Sequence, residues 1–341
     1  MPLAHTARQF WIRAPGHAEI RRSELAPPGV GEVLVRARYS GISRGTEALV
    51  FRGEVPRSQY EAMRAPFQEG ALPGPITYGY SSVGTVEEGP DHLAGRTVFC
   101  LHPHQDFYCV PEHAVHPLPE QVPAPRAVLA ANMETAVNIV WDARPAAGDE
   151  IVVIGGGVVG LLAASLCRDL PGVSVTVVDP NHARAAVAES LGLGWQADAP
   201  AGAAADLVIH ASGNPEGLRA ALEVAGPEAT IVEASWFGTR EVTLQLGETF
   251  HAGRLQIRSS QVGRVPVHRA SRWTAARRLG LALRLLADER LEGLITGESG
   301  FDELPAVLAA LARNPGDALC HRIRYGDAPG VVRGAAGSPA R

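Results

Sequence analysis

The chain has 341 residues, 46% apolar and 20% charged, with a net charge of −5 at pH 7. This is the composition of an ordinary globular protein long enough for two cored domains, and no basic surface favours nucleic acid or an anionic membrane. All 31 basic residues are arginine, which excludes a catalytic lysine or a lysine Schiff base.

Residues from about Phe10 to Val122 read as β-rich. Val33 to Tyr39 alternates as a strand, as does Ser82 to Val86, and Thr97 to Leu101 is a further apolar strand. Pro and Gly clusters, such as Pro27 to Gly29 and Leu72 to Pro75, punctuate them. From about Pro125 alanine-rich helical stretches alternate with short apolar strands: Ile151–Ile154, Val175–Val178, Leu207–His210 and Thr230–Glu233. Strands separated by helices indicate a doubly wound parallel sheet. After about Ser260 this alternation fades. Ser271 to Ala287 reads as an amphipathic helix with Arg272, Arg277 and Arg278 on its polar side. Phe301 to Leu311 starts another helix with Asp302 as its cap, and His321 to Tyr325 is strand-like. Residues 331–341 read as a disordered tail.

The four cysteines, Cys100, Cys109, Cys167 and Cys320, form no CxxC pair and read as reduced thiols of a cytoplasmic protein. No charged start followed by an apolar h-region suggests a signal peptide. The longest apolar stretches, such as Val158 to Leu166, are too short to span a bilayer.

The most informative stretch runs from Ile151 to Asp179: strand, glycine turn, helix, second strand, acidic residue. Gly155 permits a tight turn. Gly157 lets a pyrophosphate approach the backbone, and Gly160 lets the helix pack close to the strand. The helix opening at Val158 and Val159 presents free N–H groups and a positive dipole end to phosphates. Asp179, 19 residues after Gly160, is suited to accept both adenosine ribose hydroxyls and would repel a 2′-phosphate. The expected cofactor is therefore NAD, with NADP less favoured. Arg184 either flanks the adenine or forms a surface salt bridge. Ser212, Gly213 and Asn214, and then Ser235, Trp236 and Phe237, follow later strands, where doubly wound folds bind ligands. The two aromatics either wall the nicotinamide and substrate or pack in the core.

Several strings resemble the medium-chain dehydrogenase/reductase superfamily over nearly the whole chain. Gly31 to Arg36 (GEVLVR) resembles its GEVLV strand, and Ser40 to Glu47 (SGISRGTE) its SGICGTD segment. Tyr78 to Gly84 (YGYSSVG) resembles its GHE-x-x-G segment. Gly95 to Val98 (GRTV) and Ala211 to Asn214 (ASGN) match its GDRV and A-S/T-G-N strings. The resemblance implies an α/β fold, with a GroES-like β-rich catalytic domain (residues 1–125 and 262–330) and an inserted doubly wound Rossmann cofactor domain (residues 126–261). It also implies a homodimer paired through Leu255 to Val262. Gly41 to Glu47, His102 to Gln105, Ala131 to Ala136 and Arg258 to Gly263 are further similar to the bacteriochlorophyllide a dehydrogenase-like subgroup, whose namesake oxidises a secondary hydroxyethyl group with NAD.

The departures bear on chemistry. Zinc-dependent members bind catalytic zinc with a Cys, a His-Glu pair and a second Cys. Here those positions are Ser43, Tyr80-Ser81 and Ala131. Neutral hydroxyls and a methyl do not replace thiolate and imidazole, so no catalytic zinc is expected. The four-cysteine structural lobe has no room between Val98 and Val110. Cys100, His102, His104, Cys109, His113 and His116 are a dense set of possible ligands, but their spacing matches no zinc motif. Without zinc another group must handle the proton. By family position the candidates are Tyr80, Thr46, His104, Ser43 and Glu134, with Glu47 also on the cleft side. Thr46 is placed like the hydroxyl that starts the family's proton relay. Tyr80 stands at the ligand-histidine position or is a core phenol. His104 is an acid/base group or a structural histidine. Glu134 binds substrate or ribose, or caps a helix.

The expectation is a zinc-independent, NAD-dependent oxidoreductase acting on a secondary alcohol or its ketone as small-molecule substrate, with no nucleic-acid or membrane partner. A zinc-free enone or quinone reductase using NADPH and a catalytically silent nucleotide-binding protein are the alternatives.

Overall fold

The computed structural model describes residues 5–200 and 202–326; the tail expected at 331–341 lies outside the described residues. In chain order the regular elements begin with β1 (His5–Ala14), β2 (His17–Leu25), β3 (Glu32–Ile42), α1 (Arg44–Phe51), β4 (Ile76–Thr77), β5 (Ser82–Glu88), β6 (Thr97–Cys100), β7 (Phe107–Pro111) and β8 (Val115–Pro117). Next come α2 (Ala130–Ala143), β9 (Glu150–Ile154), α3 (Val158–Arg168), β10 (Ser174–Val178), α4 (Ala183–Ser190), β11 (Gly194–Gln196), β12 (Ala205–His210), α5 (Pro215–Val224), β13 (Ala225–Glu233) and β14 (Gln256–Ser259). The chain closes with α6 (Val267–Ala270), α7 (Ala275–Leu285), β15 (Ile295–Gly300), α8 (Leu304–Arg313) and β16 (Cys320–Arg324).

One sheet has the order β11-β10-β9-β12-β13-β14, with every neighbouring pair parallel. Its central strands are covered on both faces. That is why Ile151 to Ile154 is a continuous apolar run, each residue buried. Strand order reverses on either side of β9, so the carboxyl ends of β9 and β12 open a crevice. The second sheet, β15-β16-β3-β5-β6-β8 with β7 also on β3, mixes strands from both ends of the chain. A hairpin, β1 with β2, carries β4 at its side. The sequence reading did not separate this hairpin from the general β-rich texture. Among the described residues β14 and β11 each pair on one side only and are the two edges of the parallel sheet.

Two helix expectations need correction. The helix expected over Ser271–Ala287 spans Ala275–Leu285, capped by Thr274, whose hydroxyl accepts the Arg277 N–H. Arg278 is not on its polar face: it is buried and faces α2. Asp302 does not cap α8. It pairs with Arg8, while Glu303 accepts the Gly300 N–H at 2.7 Å. The four cysteines are free thiols, three of them buried. Among the described residues no helix is long and apolar enough to cross a membrane.

Candidate active site

A cavity of about 380 Å³ lies where the two sheets meet. On the parallel-sheet side it is lined by Gly157, Val158 and Val159 and by Ser212, Gly213, Ser235 and Trp236. Gly155 has φ +110°, and a Cβ on Gly160 would sit 2.0 Å from the Gly155 carbonyl oxygen. Both positions therefore require glycine for α3 to begin so close to β9. Gly157 caps α3 without a side-chain hydrogen bond, and a Cβ there would meet open space. The first N–H groups of α3 thus face a cradle suited to a pyrophosphate. Asp179 is half-buried behind this turn, outside the cavity lining; it accepts the Gly156 N–H at 2.7 Å and the Asn181 N–H at 2.9 Å. Each carboxylate oxygen keeps a second lone pair for a ribose hydroxyl.

Among the described residues Arg184 forms no surface salt bridge. It is buried, donating to the carbonyls of Asp317 at 2.7 Å and Ala318 at 3.2 Å. Arg44, which the sequence reading missed although it lies inside the SGISRGTE string, lines the cavity and donates to Ala318 O at 3.0 Å. Burial and the neighbouring Arg184 charge lower its pKa, with Asp179 opposing. Arg44 gives this side of the cleft a positive charge, with Arg184 buried behind the lining, which favours a phosphate-bearing ligand. Asn214 caps α5 with its side chain, accepting the Glu216 N–H at 3.2 Å, and is not among the lining residues. Trp236 lines the cavity and packs on the core of the second sheet. Phe237 instead stacks on His210.

The opposite wall carries Ser43, Thr46 and Tyr80. The half-buried Tyr80 hydroxyl bonds with the Ser43 and Thr46 side chains. Burial, then the Glu47 charge, push its pKa well up, and those two hydroxyls offset part of the rise. Glu47 is 0% exposed, accepting the Ser43 N–H at 2.8 Å and facing His104 Nε2 at 2.9 Å. His104 is buried as well and outside the lining; its Nδ1 lies 2.7 Å from Ser40 Oγ, which lies 3.0 Å from the Tyr325 hydroxyl. The imidazole expected at the cleft is thus one layer beneath it.

Glu134 is also removed from the cavity. It lies within α2, so it caps nothing, and it pairs with buried Arg278 at 3.1 Å, which also bonds Asn138 and the Val262 carbonyl. Burial raises the Glu134 pKa against the lowering effect of Arg278.

A catalytic zinc needs three thiolate, imidazole or carboxylate ligands from the protein. The corner formed by Ser43, Tyr80, Ser81 and Ala131 does not fit. Ser43 and Tyr80 offer neutral hydroxyls, Ser81 spends its hydroxyl on the Val128 carbonyl at 2.5 Å, and Ala131 offers a methyl. The Cys100–His116 set does not converge either. His102 stacks between Phe67 and Tyr108, its pKa pushed down to about 4 mainly by burial, while Cys100 is a core thiol pushed up to about 12. Among the described residues no three His, Cys, Asp or Glu side chains gather at one point.

No protein-family model matches the chain. It is 28% identical to D-xylulose reductase A of Aspergillus oryzae over 181 residues, 47% of this chain and half the length of that relative. It is 24% identical to the starvation-sensing protein RspB of Escherichia coli over 274 residues, 71% of this chain and 80% of that protein. An RspB alcohol dehydrogenase from Escherichia coli, crystallised with NADH, superposes with a TM-score of 0.73 at 19% identity, covering 94% of this chain and 99% of that one. Solved neighbours hold NADH or NADP. The relatives and neighbours are medium-chain, zinc-type alcohol dehydrogenase-like proteins. The fold is that of these dehydrogenases, with GroES-like and Rossmann parts.

Proposed function

We propose that this protein is a medium-chain dehydrogenase that binds NAD(H) and works without catalytic zinc, transferring a hydride between the nicotinamide and a secondary alcohol or ketone. The observation that carries the reading is one cavity whose two walls do different work. The glycine turn and α3 start form one wall; the Ser43, Thr46 and Tyr80 hydroxyls form the other. A bound nicotinamide supplies the hydride donor or acceptor. Gly157 to Val159 would hold its pyrophosphate with Arg44 nearby, and Asp179 the adenosine ribose.

With its pKa raised, Tyr80 stays a neutral phenol at working pH and donates a hydrogen bond to a carbonyl or alkoxide oxygen. Buried Glu47 behind it opposes phenolate formation. Tyr80 thereby occupies the role of an electrophile where the zinc-type relatives use metal. The free edge of β14 suits two-fold pairing with a second copy, and four free thiols suit a cytoplasmic protein.

Fluorescence titration with NADH and NADPH, followed by a panel of secondary alcohols and ketones, tests the reading. NADH should bind at least about tenfold more tightly, since a carboxylate repels a 2′-phosphate, and some secondary alcohol should reduce NAD. A tenfold preference for NADPH overturns the cofactor assignment and favours an enone or quinone reductase; turnover with no substrate leaves a silent nucleotide-binding protein.

A further inference from the structure

We propose that Ser212, His210 and Glu233 form the proton relay of this site, Ser212 exchanging the substrate's hydroxyl proton with His210 while Glu233 holds the imidazolium. The proposal rests on the hydride-transfer reading above. His210 ends β12 and Glu233 ends β13, and the two are register partners, so the parallel pairing brings an imidazole and a carboxylate side by side at the carboxyl edge of the sheet. His210 is 0% exposed. Its Nδ1 lies 2.7 Å from Glu233 Oε2 and its Nε2 2.6 Å from Ser212 Oγ. Ser212 is exposed and lines the cavity.

The carboxylate fixes which group donates. Glu233 Oε2 only accepts, so Nδ1 carries the hydrogen and donates to it, with Ser235 Oγ more distant at 3.3 Å. In the neutral ring Nε2 is then the unprotonated nitrogen and accepts from Ser212 Oγ, which itself accepts the Asn214 N–H at 3.1 Å. Glu233 Oε1 is held by the Ser235 N–H at 2.6 Å, and Ser235 Oγ by the Gly213 N–H at 3.0 Å. The group is shielded behind. Phe237 stacks on the imidazole, Ile154 of β9 is its other strand neighbour, and α5 presents Gly217, where a Cβ would come within 2.8 Å of His210 Nε2. Glu233 is the charged group these elements turn toward the ring.

Alcohol oxidation releases one proton, and among the described residues no histidine, carboxylate or thiol lines the opposite wall to take it up. The Tyr80 phenol is a donor held neutral, and the His104 chain runs away from the cavity to Ser40 and Tyr325. In the relay, the alcohol O–H proton passes to Ser212 Oγ as the Ser212 proton passes to His210 Nε2. The carbinol hydrogen leaves with its electron pair to the nicotinamide, the oxidant, and the C–O bond becomes C=O. Ketone reduction runs the same steps backward. This is a nucleophile–base–carboxylate geometry used for proton transfer. Ser212 is the catalytic residue; His210 and Glu233 act through it.

Two experiments test the proposal on the full-length protein. Nitrogen-15 histidine spectra of the cofactor-free protein at pH 8, assigned with His210→Gln, should show Nδ1 protonated and Nε2 bare, with the Nε2 signal moving in Ser212→Ala. A protonated Nε2 at pH 8 overturns the relay whatever the activity. With the fastest alcohol of the panel, Ser212→Ala should lower kcat for oxidation at pH 7 at least about tenfold, leaving KM and NADH affinity within about threefold. Ser212→Thr should restore most of the loss, and His210→Gln should remove the acid limb of the kcat–pH profile. Full turnover in Ser212→Ala, or a Thr variant no better than Ala, overturns the relay alone. A wild type that reduces NAD with no alcohol counts against the hydride-transfer reading itself and takes the relay with it.

Discussion

Each wall of the cavity has an imidazole–carboxylate pair behind it, and the two pairs end differently. On the β3 side Glu47 and His104 are both buried, and their hydrogen bonds terminate on the Ser43 backbone and on Ser40 and Tyr325. On the Rossmann side His210 and Glu233 terminate on Ser212, an exposed hydroxyl of the cavity. The chemistry of the pairs is the same; the outlet is not. A closed pair stabilises a wall and tunes the phenol in front of it, whereas an open pair can pass a proton. Burial and partners of a histidine decide less about its role than the last hydrogen bond in its chain.

The contrast can be broken at several points. Gly160→Val should have the largest effect. Its side chain meets the Gly155 carbonyl, and NADH affinity should fall more than about a hundredfold as the turn that builds the Rossmann wall opens; a titration within tenfold of wild type would contradict this. His104→Ala leaves Glu47 buried without its imidazole, and urea unfolding should register a loss of about 3–5 kcal/mol. The closed pair is then read mainly in stability. Tyr80→Phe should fold and bind NADH as wild type while kcat drops about 10–100-fold; a silent Phe variant would move the electrophile to Thr46 or Ser43. Asp179→Ala should weaken NADH about tenfold and narrow the gap to NADPH.

A further effect concerns pH. The pKa of His102 is lowered from 6.5 to about 4, chiefly by burial. A depressed histidine contributes stability that is present above its unfolded value and lost as pH falls toward the folded one. Unfolding free energy should therefore decline between pH 6.5 and pH 4, and His102→Phe, between Phe67 and Tyr108, should flatten part of that decline in urea titrations at several pH values.

How much of this was legible in the sequence follows from how local each requirement is. The glycine turn was legible because sterics at Gly155 and Gly160 act within a few residues. Both main sheets followed from strand runs whose burial matches their apolar pattern. Arg278 was misread because helical periodicity counts arginine as polar. Its partner Glu134 lies 144 positions away, and only tertiary packing brings the two together. His104 is an acid/base residue type, but its layer beneath the cleft depends on Glu47 and Ser40 from other elements. His210 was passed over as the last residue of an apolar strand. The available signal was its pairing in register with Glu233, plus serines two positions beyond each. Asp302 carried a good capping residue type, yet Arg8 competes for it through space.

The central claim is that hydroxyls and a relay have replaced the metal. It is tested most directly by measuring zinc content and alcohol-dependent NADH formation on the same chelator-treated sample. The account predicts well under one zinc per chain with turnover retained. Turnover that disappears with the metal, and returns in proportion to added zinc up to one per chain, would contradict it.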